Sequence, residues 1–175
     1  MLRPAEMSHA KRIQSLFAHW NVLKYMANTI PWPYPANGAR EFLEIMLPKV
    51  AAREQYYWGI FERAALHEGL MGVISLSPDS DEDNRGFWLG EEFWGRGYMT
   101  EANLLVNDFA FDELQMDSLI LNNAVPNIGS HRLKEKAGAV LLRIEEREYI
   151  GGRFPAAIWR LTRDAWASNR SAFLR

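Results

Sequence analysis

The chain predicts a layered α+β fold: a mixed, mostly antiparallel sheet of about six to seven strands with helices on both faces. Three observations predict it. Short apolar runs rich in aliphatic and aromatic residues recur between turn-forming clusters. Segments with apolar residues at i, i+3, i+4 spacing are interleaved with those runs rather than gathered at one end. No repeat and no internal linker divides the 175 residues, so a single domain over 1–175 is expected.

Taken in order, "LRP" at the start is a clipped first strand. Ile13, Leu16, Phe17, Trp20 and Leu23 then recur at helical spacing as two short helices between Ser8 and about Asn28. "TIPWPYPANG" ends helix formation, because proline lacks the N–H and pushes its predecessor to extended geometry. Phe42, Leu43, Met46, Leu47 and Val50 form the stripe of the next helix. "YYWGIF" (56–61) and "GLMGVISLS" (69–77) predict a hairpin joined by the polar "ERAALHE". "PDSDEDN" predicts a solvated acidic loop, and "RGFWLG" the next strand. Ala102, Leu105, Val106, Phe109, Ala110 and Leu114 predict an amphipathic helix. A strand "SLILNNAV", a short helix "NIGSHRLKEKAG" capped by Gly138, and two strands across a Gly-Gly turn follow. The tail after Asp164 is polar and is expected to be partly loose.

Composition narrows the function classes. With no cysteine, disulfides, thiolate metal sites and a cysteine nucleophile are excluded. No metal is expected. The net charge of -2, with acids and bases interspersed, predicts neither a nucleic-acid stripe nor a polybasic membrane patch. No stretch has the apolar length of a membrane span or a signal-peptide core, so a cytoplasmic protein is expected.

"GFWLGEEFWGRGYMTEA" carries the chemistry. A strand passes through Gly95-Arg96-Gly97 directly into a helix, where the first N–H groups lack intrahelical partners and the helix dipole favours an anion. A tight turn with an exposed Arg96 explains a lone pair of glycines equally well. A Walker A loop is excluded by the missing Gly-Lys-Ser/Thr, and a Rossmann fingerprint by Thr100 where a third glycine would stand. Downstream, period-two alternation puts Leu142, Ile144, Glu146, Glu148 and Ile150 on one face. Two carboxylates on an otherwise apolar face would be desolvated and suited to act as a base; exposure at the end of the strand is the alternative.

The stretch resembles the acyl-CoA-binding motif of the GNAT N-acetyltransferases, in the form used by the RimJ/RimL branch. "LRP", "PWPYP", "NIGSHRLKEKAGA" and "EREYIGGRF" stand in that branch's order, so the resemblance covers nearly the whole chain. It implies the GNAT fold, with the sheet splayed near residues 86–90. It also implies acetyl-CoA as co-substrate and transfer of its acetyl group to a primary amine, on a protein N-terminus or a small molecule, in a ternary complex. The strand edge with Trp88 and Leu89 would pair with pantetheine, and an N–H near Leu89 would meet the oxyanion. Trp94 takes the first place of the pyrophosphate motif, and Gly95, Arg96, Gly97, Tyr98, Met99 and Thr100 would surround the pyrophosphate. Met99 replaces a small residue and is expected to narrow that space. Asn127 would bind pantetheine, and Ser130 would protonate the thiolate; both suit a helix start as well. Glu148 of Glu-Tyr-x-x-Gly corresponds to the general base, with Glu146 the other candidate.

Trp32 and Tyr34 would form part of the acceptor wall by the same resemblance, together with Glu146. His131 is expected at the surface, since helix neighbours point apart from Ser130. The chain departs from the branch in having Ala156 where an aspartate usually stands, which leaves the acceptor open. A ribosomal-protein N-terminus is among the acceptors implied, with a monomer or homodimer expected. The competing reading is a non-catalytic acyl-CoA-binding module on the same fold; a nucleotide-binding protein is disfavoured by the missing lysine and carboxylate pattern.

Overall fold

The computed structural model describes residues 1–62 and 69–173. Among them, seven strands form two sheets in which every pairing is antiparallel. The first holds β1 (Leu2–Pro4), β2 (Tyr56–Phe61), β3 (Leu70–Leu76) and β4 (Phe87–Leu89) in chain order. The second holds β5 (Ser118–Ala124), β6 (Val140–Tyr149) and β7 (Gly152–Thr162) in the order β5-β7-β6. The expected β2–β3 hairpin is present, and most of its connection, residues 63–68, lies outside the described residues.

Helices cover both faces of the first sheet. α1 (Ala10–Phe17), α2 (Trp20–Leu23) and α3 (Gly38–Ala51) bury Ile13, Leu16, Leu23 and Leu43 against Phe61, Leu70 and Val73. On the other side α4 (Tyr98–Asp108) sends Met99, Ala102 and Val106 into a core shared with Met71, Ile74, Leu121 and Trp159. β3 is buried on both faces, which is why its sequence is a continuous apolar run rather than an alternation.

The two sheets part between β4 and β5. Just before β4, the Asn84 N–H donates to the Ile120 carbonyl at 2.7 Å, and its Oδ1 accepts from the Ile120 N–H at 2.6 Å. The Asn84 Nδ2 also donates to the carbonyls of Ser77, Pro78 and Ser80. One asparagine thus folds its loop and ties the sheets at the base of the splay. This corrects the expectation of a wholly solvated acidic loop: Asp79, Asp81 and Glu82 are exposed, but Asn84 and Arg85 are buried.

The loose tail is a second correction. Arg163–Phe173 forms α6, with Trp166 and Phe173 buried in the main core. Asp108 at the end of α4 accepts from Trp166 Nε1 at 2.9 Å and from Arg170 Nε and Nη2 at 2.7 Å. Two large apolar anchors a little under two turns apart, with a forked ion pair beside them, dock a helix whose other residues are polar or alanine.

Candidate active site

Where the sheets part, a cavity of about 690 Å³ opens. Its floor is Phe87, Asn122, Asn123 and Ala124, from β4 and β5. Asp83 and Arg85 enter from the loop before β4, Asn127 and Ser130 from the start of α5 (Ile128–Ala137), and Glu148 and Tyr149 from the end of β6. With Val22 and Tyr25 also in the lining, residues more than a hundred positions apart meet in one space, and three of the sequence candidates, Asn127, Ser130 and Glu148, are among them.

The glycine turn lies at the other end of β4. Gly95 and Gly97 have φ of 73° and 81°, the left-handed region that side chains avoid. A Cβ on either would meet no atom within 4 Å. Backbone conformation rather than crowding demands the glycines, and the space they border is clear. Gly97 caps α4 without any side-chain hydrogen bond, so the first-turn N–H groups have no side-chain acceptor there. That donor set, with Arg96 exposed beside it, fits a diphosphate. Met99 does not narrow the turn; its side chain points down into the main core.

Between turn and cavity runs the edge of β4 that faces away from β3. Ser75 N–H donates to Gly86, Gly90 N–H donates to Met71, and Trp88 pairs with Val73. Alternation therefore turns the backbone groups of Phe87 and Leu89 toward the gap. Trp94 Nε1 donates to the Leu89 carbonyl at 2.9 Å, fixing the strand end to the turn. Trp88 faces the opposite way: its ring packs on Phe17 with centroids 4.9 Å apart.

Asn127 is the N-cap of α5, and its Oδ1 accepts from the Ser130 N–H at 3.2 Å. Ser130 is buried, and its Oγ accepts a hydrogen bond from Lys134 Nζ at 2.8 Å. Lys134, one turn along α5, is only 2% exposed and lies 5.4 Å from the Phe87 ring centroid. Burial pulls its ammonium well below the ordinary lysine range; the nearby Arg85 adds to this and Asp83 opposes it. Burial pushes the Asp83 carboxyl up, against Lys134 and Arg85. Burial also lowers Arg85, to about 10, while its Nη1 donates to Asn107 Oδ1.

Glu148 lines the cavity, but the premise of an apolar, water-poor face is overturned. Leu142 and Ile144 are exposed, and the side chains of Glu146 and Glu148 are more than half exposed. A register shift between Leu141 and Arg143 interrupts the alternation, and β6 is an edge strand. Arg153 Nε, across the hairpin, lies 3.7 Å from Glu146 and 3.9 Å from Glu148. Glu146 is not part of the cavity wall.

Trp32 and Tyr34 are not in that wall either. Trp32 packs on Trp20 at 5.3 Å, and Tyr34 stands edge-on to Phe17 at 5.1 Å, inside the second core. The wall comes from the segment before them, Tyr25 to Asn28 and Ile30. Hydrogen bonds from Ile150 N–H to Met26 and from Gly151 N–H to Lys24 hold that segment against the β6–β7 turn. A Cβ on Gly151 would stand 2.7 Å from the Lys24 carbonyl oxygen, so a glycine is what allows the approach. His131 turns from the cavity, edge-on to Trp159 at 4.8 Å, and Ala156 is buried in register with Ala124.

Sequence reasoning missed Arg85, Lys134 and Tyr149, and read Asp83 only as one acid of a solvated loop. Lys134 carried a signal, its i+4 spacing from Ser130. Asp83 and Arg85 sit at the end of an acidic run, where nothing local marks burial.

The family model described as "Acetyltransferase (GNAT) domain" matches residues 1–140. The chain is 33% identical over 109 residues to the "Probable N-acetyltransferase YjcK" of Bacillus subtilis (strain 168), a match covering 60% of this chain and 59% of that one. A second relative from the same organism is 35% identical over 82 residues, 44% of each chain. The chain thus spans less than two thirds of the length of both. Its fold is similar to ribosomal-protein-S5-alanine acetyltransferase from Vibrio fischeri, with a TM-score of 0.77 at 15% identity, covering 94% of this chain and 93% of that one. It is also similar to a variant of spermidine N-acetyltransferase SpeG from Vibrio cholerae, with a TM-score of 0.74 at 19% identity over 98% and 99%. With the fold, the splayed strands and the glycine turn in place, the family match to four-fifths of the chain shows that it belongs to the GNAT acetyltransferases.

Proposed function

We propose that this chain is an acetyl-CoA-dependent N-acetyltransferase of the RimJ/RimL-like kind. It would acetylate a primary amine, on a protein N-terminus or a small molecule, by direct attack while both substrates are bound. The observation that carries the reading is the single cavity that gathers Asn127, Ser130 and Glu148 where the sheets part, at one end of the unpaired β4 edge. The glycine turn stands at the other end of that edge. The names of the related proteins, which include a ribosomal-protein and a spermidine acetyltransferase, support an amine acceptor.

When bound, acetyl-CoA supplies the activated thioester. The N–H groups from Gly95 to Thr100, with Arg96, would hold its pyrophosphate. Phe87 and Leu89 would pair with the pantetheine arm as a neighbouring strand would, and Asn127 would donate to it from Nδ2, its Oδ1 being engaged by Ser130. The Leu89 N–H would donate to the developing oxyanion. Glu148 would take the amine proton on its carboxylate, and Ser130 Oγ would give a proton to the departing sulfur. Glu82 and Glu148, both exposed at the cavity, would draw an ammonium toward it. No described helix is long and apolar enough to cross a membrane.

CoA binding measured by calorimetry, beside thiol release from acetyl-CoA across N-terminal alanyl and seryl peptides and spermidine, tests the reading. Binding with amine-dependent release is the expected result. Binding without release for any amine would overturn catalysis in favour of an acyl-CoA-binding module.

A further inference from the structure

Ser130 sits in the cavity with its hydroxyl oxygen already occupied. Lys134 Nζ donates to Oγ at 2.8 Å and lies 3.5 Å from the Ser130 carbonyl oxygen, so both of its contacts go to Ser130 rather than to a carboxylate. A hydroxyl that accepts from an ammonium keeps its own hydrogen for another acceptor. The lysine lies one turn behind the serine, closed off from solvent by α5 and the Phe87 ring. The charged groups around it come from the loop before β4: Asp83, which lines the cavity, and Arg85. A lysine placed only to complete an ion pair would direct Nζ at Asp83. This one is directed at the serine.

Resting on the acetyltransferase reading, we propose that Lys134 is the positioning residue behind Ser130. Its hydrogen bond turns the Oγ–H toward the cavity, and its ammonium replaces the proton that Ser130 gives to the CoA sulfur. The step balances. As the N–C bond forms and the C–S bond breaks, the amine proton passes to Glu148. The sulfur takes the Ser130 proton, Ser130 takes one from Lys134, and Lys134 is left neutral. Solvent then removes the proton from Glu148 and restores Lys134. A buried lysine that releases its proton more readily than an exposed one suits this cycle.

Bound CoA gives a test that needs no acceptor. The thiolate absorbs in the ultraviolet, so the thiol of CoA bound to the protein can be titrated directly. In the wild type the thiolate is stabilised through Ser130 while Lys134 is an ammonium, so near neutral pH and below, the thiolate fraction of bound CoA should exceed that in Lys134→Met, Lys134→Gln or Ser130→Ala. The expected difference is roughly tenfold in thiolate fraction at a given pH, one pKa unit. Lys134→Arg, which keeps the charge, should show at least the wild-type thiolate fraction near neutral pH. CoA bound with the wild-type titration in both Lys134→Met and Lys134→Gln would overturn the role of Lys134 while leaving the acetyltransferase reading intact. Failure of the wild type to bind CoA would overturn both. Should one neutral variant not fold, the other carries the comparison.

Discussion

The glycine turn before α4 and the Ser130–Lys134 pocket before β6 differ in material, and under the proposed function they would answer opposite needs. The turn is exposed, built of backbone, and asks of its side chains only that two be absent. Around Ser130 and Lys134 the pocket is buried, built of side chains, and its lining draws on two loop segments, α5 and three strands. A phosphate needs N–H groups in a fixed array, which a local stretch can supply alone. Relaying a proton through Ser130 needs side chains brought together and surrounded, and burial with neighbouring charges comes only from the tertiary fold. The two regions should therefore fail differently when altered.

The largest effect is expected at the proton-transfer end. Glu148→Gln removes the proposed base and should lower kcat by roughly 10²–10³ fold, within the range for general-base catalysis, with CoA affinity nearly intact. Steady-state kinetics beside calorimetry checks both halves. Ser130→Ala should lower kcat by about 10–10² fold, again sparing CoA affinity, because the leaving thiolate can still be protonated by water. Gly97→Ala should show the reverse split. Forcing a side chain to a φ of 81° costs on the order of 1–2 kcal/mol and displaces the amides, so CoA should bind about tenfold more weakly while kcat at saturation changes little. If Gly97→Ala and Ser130→Ala gave the same kinetic pattern, the division between the two regions would be wrong.

The smallest effect is on stability. Lys134 is depressed in the folded chain, so above neutral pH the unfolded chain binds a proton there that the native one does not. Stability then rises with pH up to the ordinary lysine value, and the wild type should gain on Lys134→Met over that window. Urea denaturation across the pH range checks the sign. A difference that fell with rising pH would mean that Lys134 is held as a charge.

What the sequence disclosed follows the same division. The turn, the α4 stripe, Gly138 at the end of α5 and the order of strands were legible, because each depends on residues close together in the chain. Ser130 was reached only through the wording of the surrounding motif, and that wording also favoured Glu148 over Glu146 where alternation offered both; no local spacing says that Ser130 and Glu148 share a cavity. The apolar face around Glu148 was misjudged because alternation reports which residues share a side, not whether anything covers it. On an edge strand nothing did. Trp166 and Phe173 were overlooked because two anchors in a polar tail make no stripe until the core below them is known. Asn84, which ties the sheets, looks like one more polar residue in an acidic run.

A structure of the chain with CoA bound is the most direct test of the central claim. Pyrophosphate oxygens are expected on the N–H groups of Gly95 to Thr100, pantetheine along the Phe87–Leu89 edge, and the sulfur within hydrogen-bond distance of Ser130 Oγ with Glu148 across the cavity. CoA lying elsewhere, or entering the splay with its sulfur out of reach of Ser130, would contradict it.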